Sequence, residues 1–316
     1  MTQRIPIMVA DPEVAPPPPV PRRRRGEPHR RHPDWLRVRL PGGSAYHELR
    51  TTLAGHGLHT VCQEAMCPNI AECWAAGTAT FMILGDVCTR GCRYCAVSKG
   101  KPVGVDLDEP ARVAAAAASM ALRFAVVTSV DRDDLGDGGA AIFAATIEAI
   151  RERLPRCGVE VLIPDFQGSE TSLRTVLEAR PDVLDHNIET VPRLFATVRL
   201  GGDYQRSLGV LARSRTIAPD IPTKSGMMLG LGETDEEVRR VMVELLAVGV
   251  EILTLGQYLQ PTLKHVPVHR YVHPRAFDAL RDAGLLMGFR HVEAGPLVRS
   301  SYHAGSQLVV ERRGAG

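Results

Sequence analysis

The chain has 316 residues and a mass of 34.4 kDa, and with 44% apolar residues it can build one large core or two modest ones. Its 38 Lys and Arg nearly balance its 36 Asp and Glu, so the chain as a whole is not a polyanion binder by charge. No apolar run approaches the roughly 20 residues of a membrane helix, so we expect no membrane partner.

The charge is unevenly distributed along the chain. Residues 1–40 contain nine Arg and four acidic residues, a net charge of +5, which leaves −3 for the remainder. Prolines at 16–19 and arginines at 22–25 disfavour a regular helix and offer little apolar surface. We therefore predict a disordered basic Pro/Arg-rich tail over residues 1–33. A transit peptide and a nucleic-acid arm are the alternatives, but the proline run argues against the first, and a single basic run is more often a solvated tail.

From about residue 78 onward, short apolar runs alternate with helical patterns. Strands are predicted at 79–84, 124–129, 159–163, 183–187, 223–229 and 252–257. Helices are predicted at 110–122, 138–153, 170–179, 191–196, 203–217 and 234–248. The last helix is the best marked, because Thr234 and Glu237 form a capping box and Gly249 ends it. Repeated β–α units indicate an α/β protein with a parallel sheet, and periodicity alone leaves a partial barrel and a doubly wound sheet open.

Six of the seven cysteines form two triplets, and only Cys157 stands apart. The second triplet is Cys88, Cys92 and Cys95, spaced C-x3-C-x2-C in a loop directly after the first strand. Three thiolates on such a loop can hold three irons of a cubane cluster and leave the fourth iron open. A structural zinc site is the alternative, but zinc prefers four protein ligands and this spacing supplies three. Clustered cysteines also predict metal ligands rather than disulfides, and a cytoplasmic location.

This loop, with the aromatic Tyr94 just before its last cysteine, resembles the signature of radical S-adenosylmethionine (SAM) enzymes. The resemblance implies that the open iron chelates the amine and carboxylate of SAM. One electron from the cluster then cleaves the sulfonium to a 5′-deoxyadenosyl radical. The resemblance also implies a partial (β/α)6 TIM-like barrel of the radical SAM type. In such a barrel the cluster loop lies at the mouth, and N- and C-terminal extensions cover the mouth.

The first triplet is Cys62, Cys67 and Cys73, spaced C-x4-C-x5-C ahead of the barrel. A second set of three thiolates implies a second cluster that lacks one local ligand. The run R-S-S-Y at 299–302 offers hydroxyls for that position. Spacing alone does not distinguish Ser300 from Ser301.

Together these three elements resemble the lipoyl synthase family. The resemblance implies a sulfurtransferase with two 4Fe-4S clusters. One is an auxiliary cluster that is consumed as the sulfur source, and its implied ligands are Cys62, Cys67, Cys73 and a serine, for which Ser301 is the better candidate. The other is the radical-generating cluster, ligated by Cys88, Cys92 and Cys95, where two SAM molecules per lipoyl group generate radicals. These radicals abstract hydrogen from carbons 6 and 8 of a protein-bound octanoyl chain. On this basis Cys88, Cys92, Cys95 and Ser301 are the predicted catalytic residues.

Polar residues that follow the strands are assigned to cofactor binding by the same resemblance, which extends from about residue 47 to 304. The predicted SAM-binding residues are Thr128, Asp131, Asn187, Glu189 and Lys224. Asp133 and Asp134 can equally be a solvated acidic loop. His186 can equally be a hydrogen-bonded core histidine.

The resemblance also implies partners and a domain organisation. The expected partners are octanoylated lipoyl carrier proteins, namely lipoyl domains of 2-oxoacid dehydrogenases and the glycine cleavage H protein, a donor such as ferredoxin or flavodoxin, and cluster-assembly proteins. No nucleic-acid partner is expected. After the tail, we predict an N-terminal extension with the auxiliary motif at 34–77, a barrel at 78–290 and a C-terminal segment at 291–316.

Two other functions remain as alternatives. A tRNA methylthiotransferase also uses two clusters, but such enzymes usually carry an RNA-binding module, and this chain has only a short end after Ser301. A non-enzymatic iron–sulfur or zinc module is the other alternative. The six β–α units argue against it, because a simple carrier needs no such barrel.

Overall fold

A computed structural model describes residues 32–36, 59–60 and 69–307 of the chain. The predicted tail, apart from its last two residues, lies outside this part. So do Cys62 and Cys67 of the first cysteine triplet, whereas Cys73 is described.

The parallel strands of the main sheet are separated by helices along most of the described chain, as the sequence predicts. The strands are β1 His59–Thr60, β2 Thr78–Ile83, β3 Val87–Cys88, β4 Ser98–Lys99, β5 Phe124–Ser129, β6 Gly158–Leu162, β7 Val183–Asp185, β8 Thr223–Leu229, β9 Ile252–Gln257 and β10 His291–Gly295. The helices are α1 Ile70–Ala75, α2 Glu109–Ser119, α3 Ala140–Arg153, α4 Glu170–Glu178, α5 Pro192–Val198, α6 Tyr204–Ile217, α7 Asp235–Ala247, α8 Pro274–Met287 and α9 Ala304–Gln307. Short 3-10 turns lie at Asp34–Leu36 and Phe166–Gly168. No described helix combines the length and apolar character needed to cross a bilayer.

The main sheet runs in the order β1-β2-β5-β6-β7-β8-β9-β10. Its last seven strands are parallel, and β1 pairs antiparallel with β2. Every residue of β2 and β9 is buried, as expected of strands covered on both faces. In the part of the chain that the structure describes, β10 pairs only with β9. The sheet is therefore an unclosed partial barrel, which confirms the predicted fold class.

All six predicted strands are present, and the sheet contains a seventh parallel strand, β10, that the sequence pattern did not predict. Only Val292 of β10 is fully buried, so this strand lacks the apolar run that marks the others. Helix α8 was also not predicted. Its buried face is narrow, with Phe277, Leu280 and the small Gly284.

Helix α7 begins and ends where the sequence predicts. The Glu237 backbone N–H donates to Thr234 Oγ1 at 3.2 Å, and the Thr234 N–H donates to a Glu237 carboxylate oxygen at 2.8 Å. This is the predicted capping box. Because it fixes the start of the helix just after β8, it also fixes the loop at that edge of the barrel mouth.

The C-terminal segment packs closely on the end of β9. A Cβ atom on Gly256 would lie 2.2 Å from the Val298 carbonyl oxygen, so only glycine permits this approach. Asn69, just before α1, donates from Nδ2 to the Leu297 carbonyl oxygen at 2.7 Å. Residues 297–300 are thereby held between the barrel and the N-terminal helix.

Candidate active site

Two adjoining cavities open at the carboxyl ends of the parallel strands, which is where barrel enzymes place their active sites. The first cavity has a volume of about 270 Å³ and is lined by the cluster loop and the ends of β5, β6 and β7. The second has a volume of about 480 Å³ and is lined by the ends of β8 and β9 and by residues 298–300. The side chains that line both cavities are Met82, Tyr94, Cys95, Val97, Asn187 and Glu189. The two cavities are therefore parts of one site.

Cys88, Cys92 and Cys95 all line the first cavity, and each is half-buried. Their loop is pinned at both ends. The Gly100 N–H donates to the Cys88 carbonyl oxygen at 3.0 Å, and His265 donates from Nε2 to the Cys95 carbonyl oxygen at 2.9 Å. The structure thus brings the three predicted cluster ligands together around one cavity.

Arg90, inside the cluster loop, ties that loop to the barrel. Its guanidinium contacts Asp133 at 2.7 Å, Asp165 at 2.6 Å and Asp131 at 3.4 Å. Burial alone raises the pKa of Asp165, but the hydrogen bond and charge of Arg90 outweigh it and lower the pKa to about 2. Asp133, which the sequence left open between a cofactor contact and a solvated acid, is therefore a partner of Arg90. No sequence pattern singled out Arg90.

The three thiols lie in surroundings that disfavour thiolates in the absence of a cation. Burial raises the pKa of Cys88 to about 11, and the Asp131 carboxylate, 3.7 Å from Cys88 Sγ, adds to the effect. Burial likewise raises the pKa of Cys92 to about 12, against the charge of Arg199. Bound iron would supply the missing positive charge and displace the thiol protons.

The donor set fits a cubane cluster better than a single ion. Within residues 69–307 and the shorter described stretches, no three His, Cys, Asp or Glu side chains form a group that could hold one metal ion. A cubane makes a different demand, because each thiolate binds its own iron atom. What it requires is three cysteines around one cavity, and Cys88, Cys92 and Cys95 have that arrangement.

Four of the five predicted SAM-binding residues line the first cavity, namely Thr128, Asp131, Asn187 and Glu189. Glu189 has a positive φ of 69°, unusual for a non-glycine residue, and is held by a backbone hydrogen bond to Gly226 at 2.9 Å. Burial raises the pKa of Glu189, and the positive charge of Arg199 opposes this shift. The described structure provides no hydrogen-bond partner for Asn187 Oδ1. An amide side chain and a carboxylate thus line the cavity next to the cluster loop.

Arg199 is a second buried cation that lines this cavity, in addition to Arg90, and no sequence pattern singled it out. It is 8% exposed and donates to the Asn187 carbonyl oxygen at 2.5 Å. Its guanidinium carbon lies 5.5 Å from the centre of the Phe195 ring. The available signal was an arginine directly after the apolar helix α5, at the mouth of the barrel. Its charge faces Glu189, Asp131 and Cys92.

Lys224 is the predicted SAM-binding residue that the structure does not bring to either cavity. It is the second residue of β8, near the end of the barrel opposite the mouth, and it is fully buried. Its Nζ lies 2.8 Å and 3.1 Å from the two carboxylate oxygens of Glu160, which is also fully buried. The pair lies inside the barrel, beneath the cavities.

His186 also lines neither cavity. It is fully buried and donates from Nδ1 to the Ile163 carbonyl oxygen at 2.8 Å. Burial lowers the pKa of His186 to about 3, helped by the charge of Arg199. The geometry corresponds to the hydrogen-bonded core histidine.

The R-S-S-Y run joins the second cavity to helix α1. Ser300 lines the cavity, and its Oγ accepts a hydrogen bond from Asn187 Nδ2 at 2.8 Å. Ser301 follows as a half-buried residue, and Tyr302 donates from Oη to Glu72, the residue before Cys73. The structure therefore brings the predicted serine segment next to the described cysteine of the first triplet.

Comparisons with known proteins agree with this arrangement. Residues 82–245 match the model of the Radical SAM superfamily. Residues 20–67 match the N-terminal domain of lipoyl synthase. The lipoyl synthase of Rubrobacter xylanophilus is 57% identical over 283 residues, which cover 90% of this chain and 88% of that protein. The chain belongs to the lipoyl synthase family. The lipoyl synthase of Roseiflexus sp. is 58% identical over 274 residues, covering 87% of this chain and 91% of that protein.

Solved structures share the fold of this lipoyl synthase family member. Methylornithine synthase matches with a TM-score of 0.51 and 12% identity, over 78% of this chain and 74% of that one. A maturase of the [FeFe]-hydrogenase matches with a TM-score of 0.51 and 14% identity, over 72% and 58% of the two chains. At such identities the likeness shows the fold alone. Membership of the Radical SAM superfamily implies a 4Fe-4S cluster and SAM as cofactors.

Proposed function

We propose that this member of the lipoyl synthase family inserts two sulfur atoms at carbons 6 and 8 of a protein-bound octanoyl chain. The observation that carries the proposal is the pair of adjoining cavities. One is lined by the three cysteines of the cluster loop and the other by Arg299 and Ser300 of the R-S-S-Y run. An octanoyl carbon at their junction would lie between the radical source and the sulfur donor, as radical capture requires.

In the first cavity, Cys88, Cys92 and Cys95 would hold the radical-generating cluster, which supplies one electron for the cleavage of SAM. The positively charged Arg199 guanidinium would pair with the carboxylate of SAM. The Glu189 carboxylate would accept hydrogen bonds from the amine or the ribose hydroxyls of SAM. Apolar side chains, including Met82 and Val97, line the same cavity and limit the access of water to a radical.

The second cavity would take the octanoyl chain. Met227, Met228, Leu259 and Val298 provide an apolar lining that suits an alkyl chain. Flexible methionines adapt to such a chain without a fixed shape.

The auxiliary cluster, the sulfur source, would be held by Cys62, Cys67, Cys73 and Ser301. Two observations support this assignment. The R-S-S-Y run contacts the helix that carries Cys73. The Ser300 hydroxyl is already engaged by Asn187, which favours Ser301 as the ligand.

We also propose the partners of this protein and the organisation of its chain. The substrates would be octanoylated carriers such as lipoyl domains and the glycine cleavage H protein. A ferredoxin or flavodoxin would reduce the clusters, and assembly proteins would rebuild the auxiliary one. We place the reaction in the cytoplasm, where thiols stay reduced. The chain would comprise a tail at 1–33, an extension at 34–77, a barrel at 78–290 and a C-terminal segment at 291–316.

The test uses anaerobically reconstituted protein with SAM, dithionite and a peptide that carries octanoyl-lysine. We expect about eight iron per chain, because each 4Fe-4S cluster contributes four. We also expect a gain in peptide mass that corresponds to two sulfur atoms. An iron content near four, or a peptide of unchanged mass while SAM is cleaved, would contradict the proposal. A parallel reaction with tRNA tests the methylthiotransferase alternative, and we expect no change there.

A further inference from the structure

We infer that five side chains form a clamp that holds the R-S-S-Y run against the helix bearing Cys73 and thereby positions Ser301 for the auxiliary cluster. The clamp consists of Glu72, His291, Glu293, Tyr302 and His303. The inference rests on the proposed function, because it takes Ser301 as the cluster ligand. It assigns to the five clamp residues a positioning role for that ligand.

The first half of the clamp is built on Glu72 of helix α1, the residue before Cys73. Tyr302 donates from Oη and lies 3.1 Å from each Glu72 carboxylate oxygen. His303 donates from Nε2 to the same carboxylate at 3.1 Å. The rings of Tyr302 and His303 stack with centroids 3.8 Å apart. The two residues directly after Ser301 therefore bind one carboxylate together.

The second half is built on Glu293 of strand β10. His303 Nδ1 lies 3.6 Å from one Glu293 carboxylate oxygen, and His291 Nε2 lies 3.3 Å from the other. Burial alone raises the pKa of Glu293, but the two histidines outweigh it and keep the carboxyl ionised. His303 thus bridges the Glu293 carboxylate on strand β10 and the Glu72 carboxylate on helix α1. Strand and helix therefore both hold the segment that directly follows Ser301.

The backbone at His303, directly after the R-S-S-Y run, has an uncommon conformation that the contacts of the clamp stabilise. His303 has a positive φ of 55°, a left-handed conformation that only a few per cent of non-glycine residues adopt. Gln307 donates from Nε2 to the Tyr302 carbonyl oxygen at 2.9 Å and closes the turn from the other side. A different backbone conformation at His303 would swing Ser301 away from α1.

The clamp contributes position rather than stability. The Glu72 and His303 side chains are 58% and 39% exposed, and ion pairs of such exposure contribute little to the free energy of unfolding. A serine hydroxyl, however, is a weak ligand for iron, so it binds only if it is held at the cluster. Residues that orient a metal ligand typically change metal retention by about 10- to 100-fold when they are removed.

The test compares Glu72→Ala and the double variant Tyr302→Phe with His303→Ala against wild type and Glu152→Ala. Glu152 is an exposed glutamate of helix α3 and provides the matched control. After reconstitution, each protein is challenged with a chelator while iron loss and the spectra of the two clusters are followed. We expect the clamp variants to lose the auxiliary cluster at least about 10-fold faster than wild type. Cleavage of SAM at the radical-generating cluster should be retained. Glu72→Gln, which still accepts from Tyr302, should restore part of the retention.

Hydrogen exchange of residues 300–307 gives a readout that depends on neither activity nor iron. We expect protection there to fall in the clamp variants and to stay unchanged in Glu152→Ala. Wild-type chelator kinetics and wild-type protection in both clamp variants would overturn the inference. Wild-type protein that binds only about four iron would instead contradict the proposed function, and hydrogen exchange would still test the clamp.

Discussion

The buried Lys224–Glu160 ion pair allows a direct test of whether Lys224 belongs to the core of the barrel or to the SAM-binding site. Both side chains are fully buried, and Lys224 Nζ contacts the two carboxylate oxygens at 2.8 Å and 3.1 Å. Burial raises the pKa of Glu160, and the Lys224 charge counteracts this shift. Asp185 lies close by, and burial raises its pKa well above the ordinary value. Its carboxyl oxygens have no hydrogen-bond partner in the described part of the chain.

Lys224→Met removes the ammonium and leaves the Glu160 carboxyl buried without a partner. Breaking a buried pair in this way costs about 3–5 kcal/mol of unfolding free energy. Because Glu160 can take up a proton, we expect a loss near the lower end, about 3 kcal/mol at neutral pH. The double variant with Glu160→Met replaces both charges by apolar groups, so it should return to within about 1 kcal/mol of wild type.

Urea unfolding followed by far-UV circular dichroism measures these differences across the four members of the double-mutant cycle. Binding of SAM to the reconstituted double variant provides the functional readout. If Lys224 serves the core, as its position indicates, the double variant binds SAM as tightly as wild type. Loss of SAM binding in a stable double variant would instead place Lys224 in the active site, and a loss below about 1 kcal/mol in Lys224→Met would contradict a buried ion pair.

Three further predictions concern the cluster loop, the C-terminal segment and the pH dependence of stability. Arg90→Gln should release the cluster loop and lower the iron retained at Cys88, Cys92 and Cys95 by about 10-fold, measured by chelator challenge against Arg239→Gln, an exposed arginine on α7. Gly256→Ala should displace residues 297–300, because its Cβ would collide with the Val298 carbonyl oxygen; we expect weakened auxiliary-cluster retention with the radical-generating cluster intact, and equal retention of both would contradict the packing argument. Burial lowers the pKa of His186 to about 3, below its ordinary 6.5, so the unfolded chain takes up a proton first as the pH falls. Between pH 7.5 and pH 5, the unfolding free energy of wild type should therefore fall by about 2 kcal/mol more than that of His186→Gln. Urea unfolding at both pH values measures this difference. If the urea midpoints of the two proteins fell by the same amount, His186 would not be held neutral in the folded state.

Much of this site was predictable because its chemistry is local in sequence. The C-x3-C-x2-C spacing places Cys88, Cys92 and Cys95 on one loop, and the structure brings all three to one cavity. Asn187 and Glu189 follow a strand, so the parallel arrangement of the sheet carries them to the mouth. Strands and helices with a strong apolar period were likewise predicted within a few residues of their observed ends.

Assignments that depend on depth along a strand were not predictable from sequence. Lys224 and Gly226 are two residues apart in β8, yet one lies in an ion pair beneath the site and the other lines a cavity. Sequence shows that both belong to one strand but not how far the strand extends below the mouth. Arg90 and Arg199 were missed for a related reason. Their roles come from partners on other elements, and a single arginine in a loop carries no local signature.

By itself, the sequence determined the α/β class, the two cysteine triplets and the loop that can hold a cluster, because each depends on residues within one turn or one strand. Only the tertiary structure decided which distant groups meet. It placed Tyr302 against Glu72, 230 residues away in the chain, and Asn187 against Ser300, 113 residues away. These contacts depend on the stagger of the sheet and on the path of the C-terminal segment across the barrel mouth. Both are set by packing between elements, which no local pattern records.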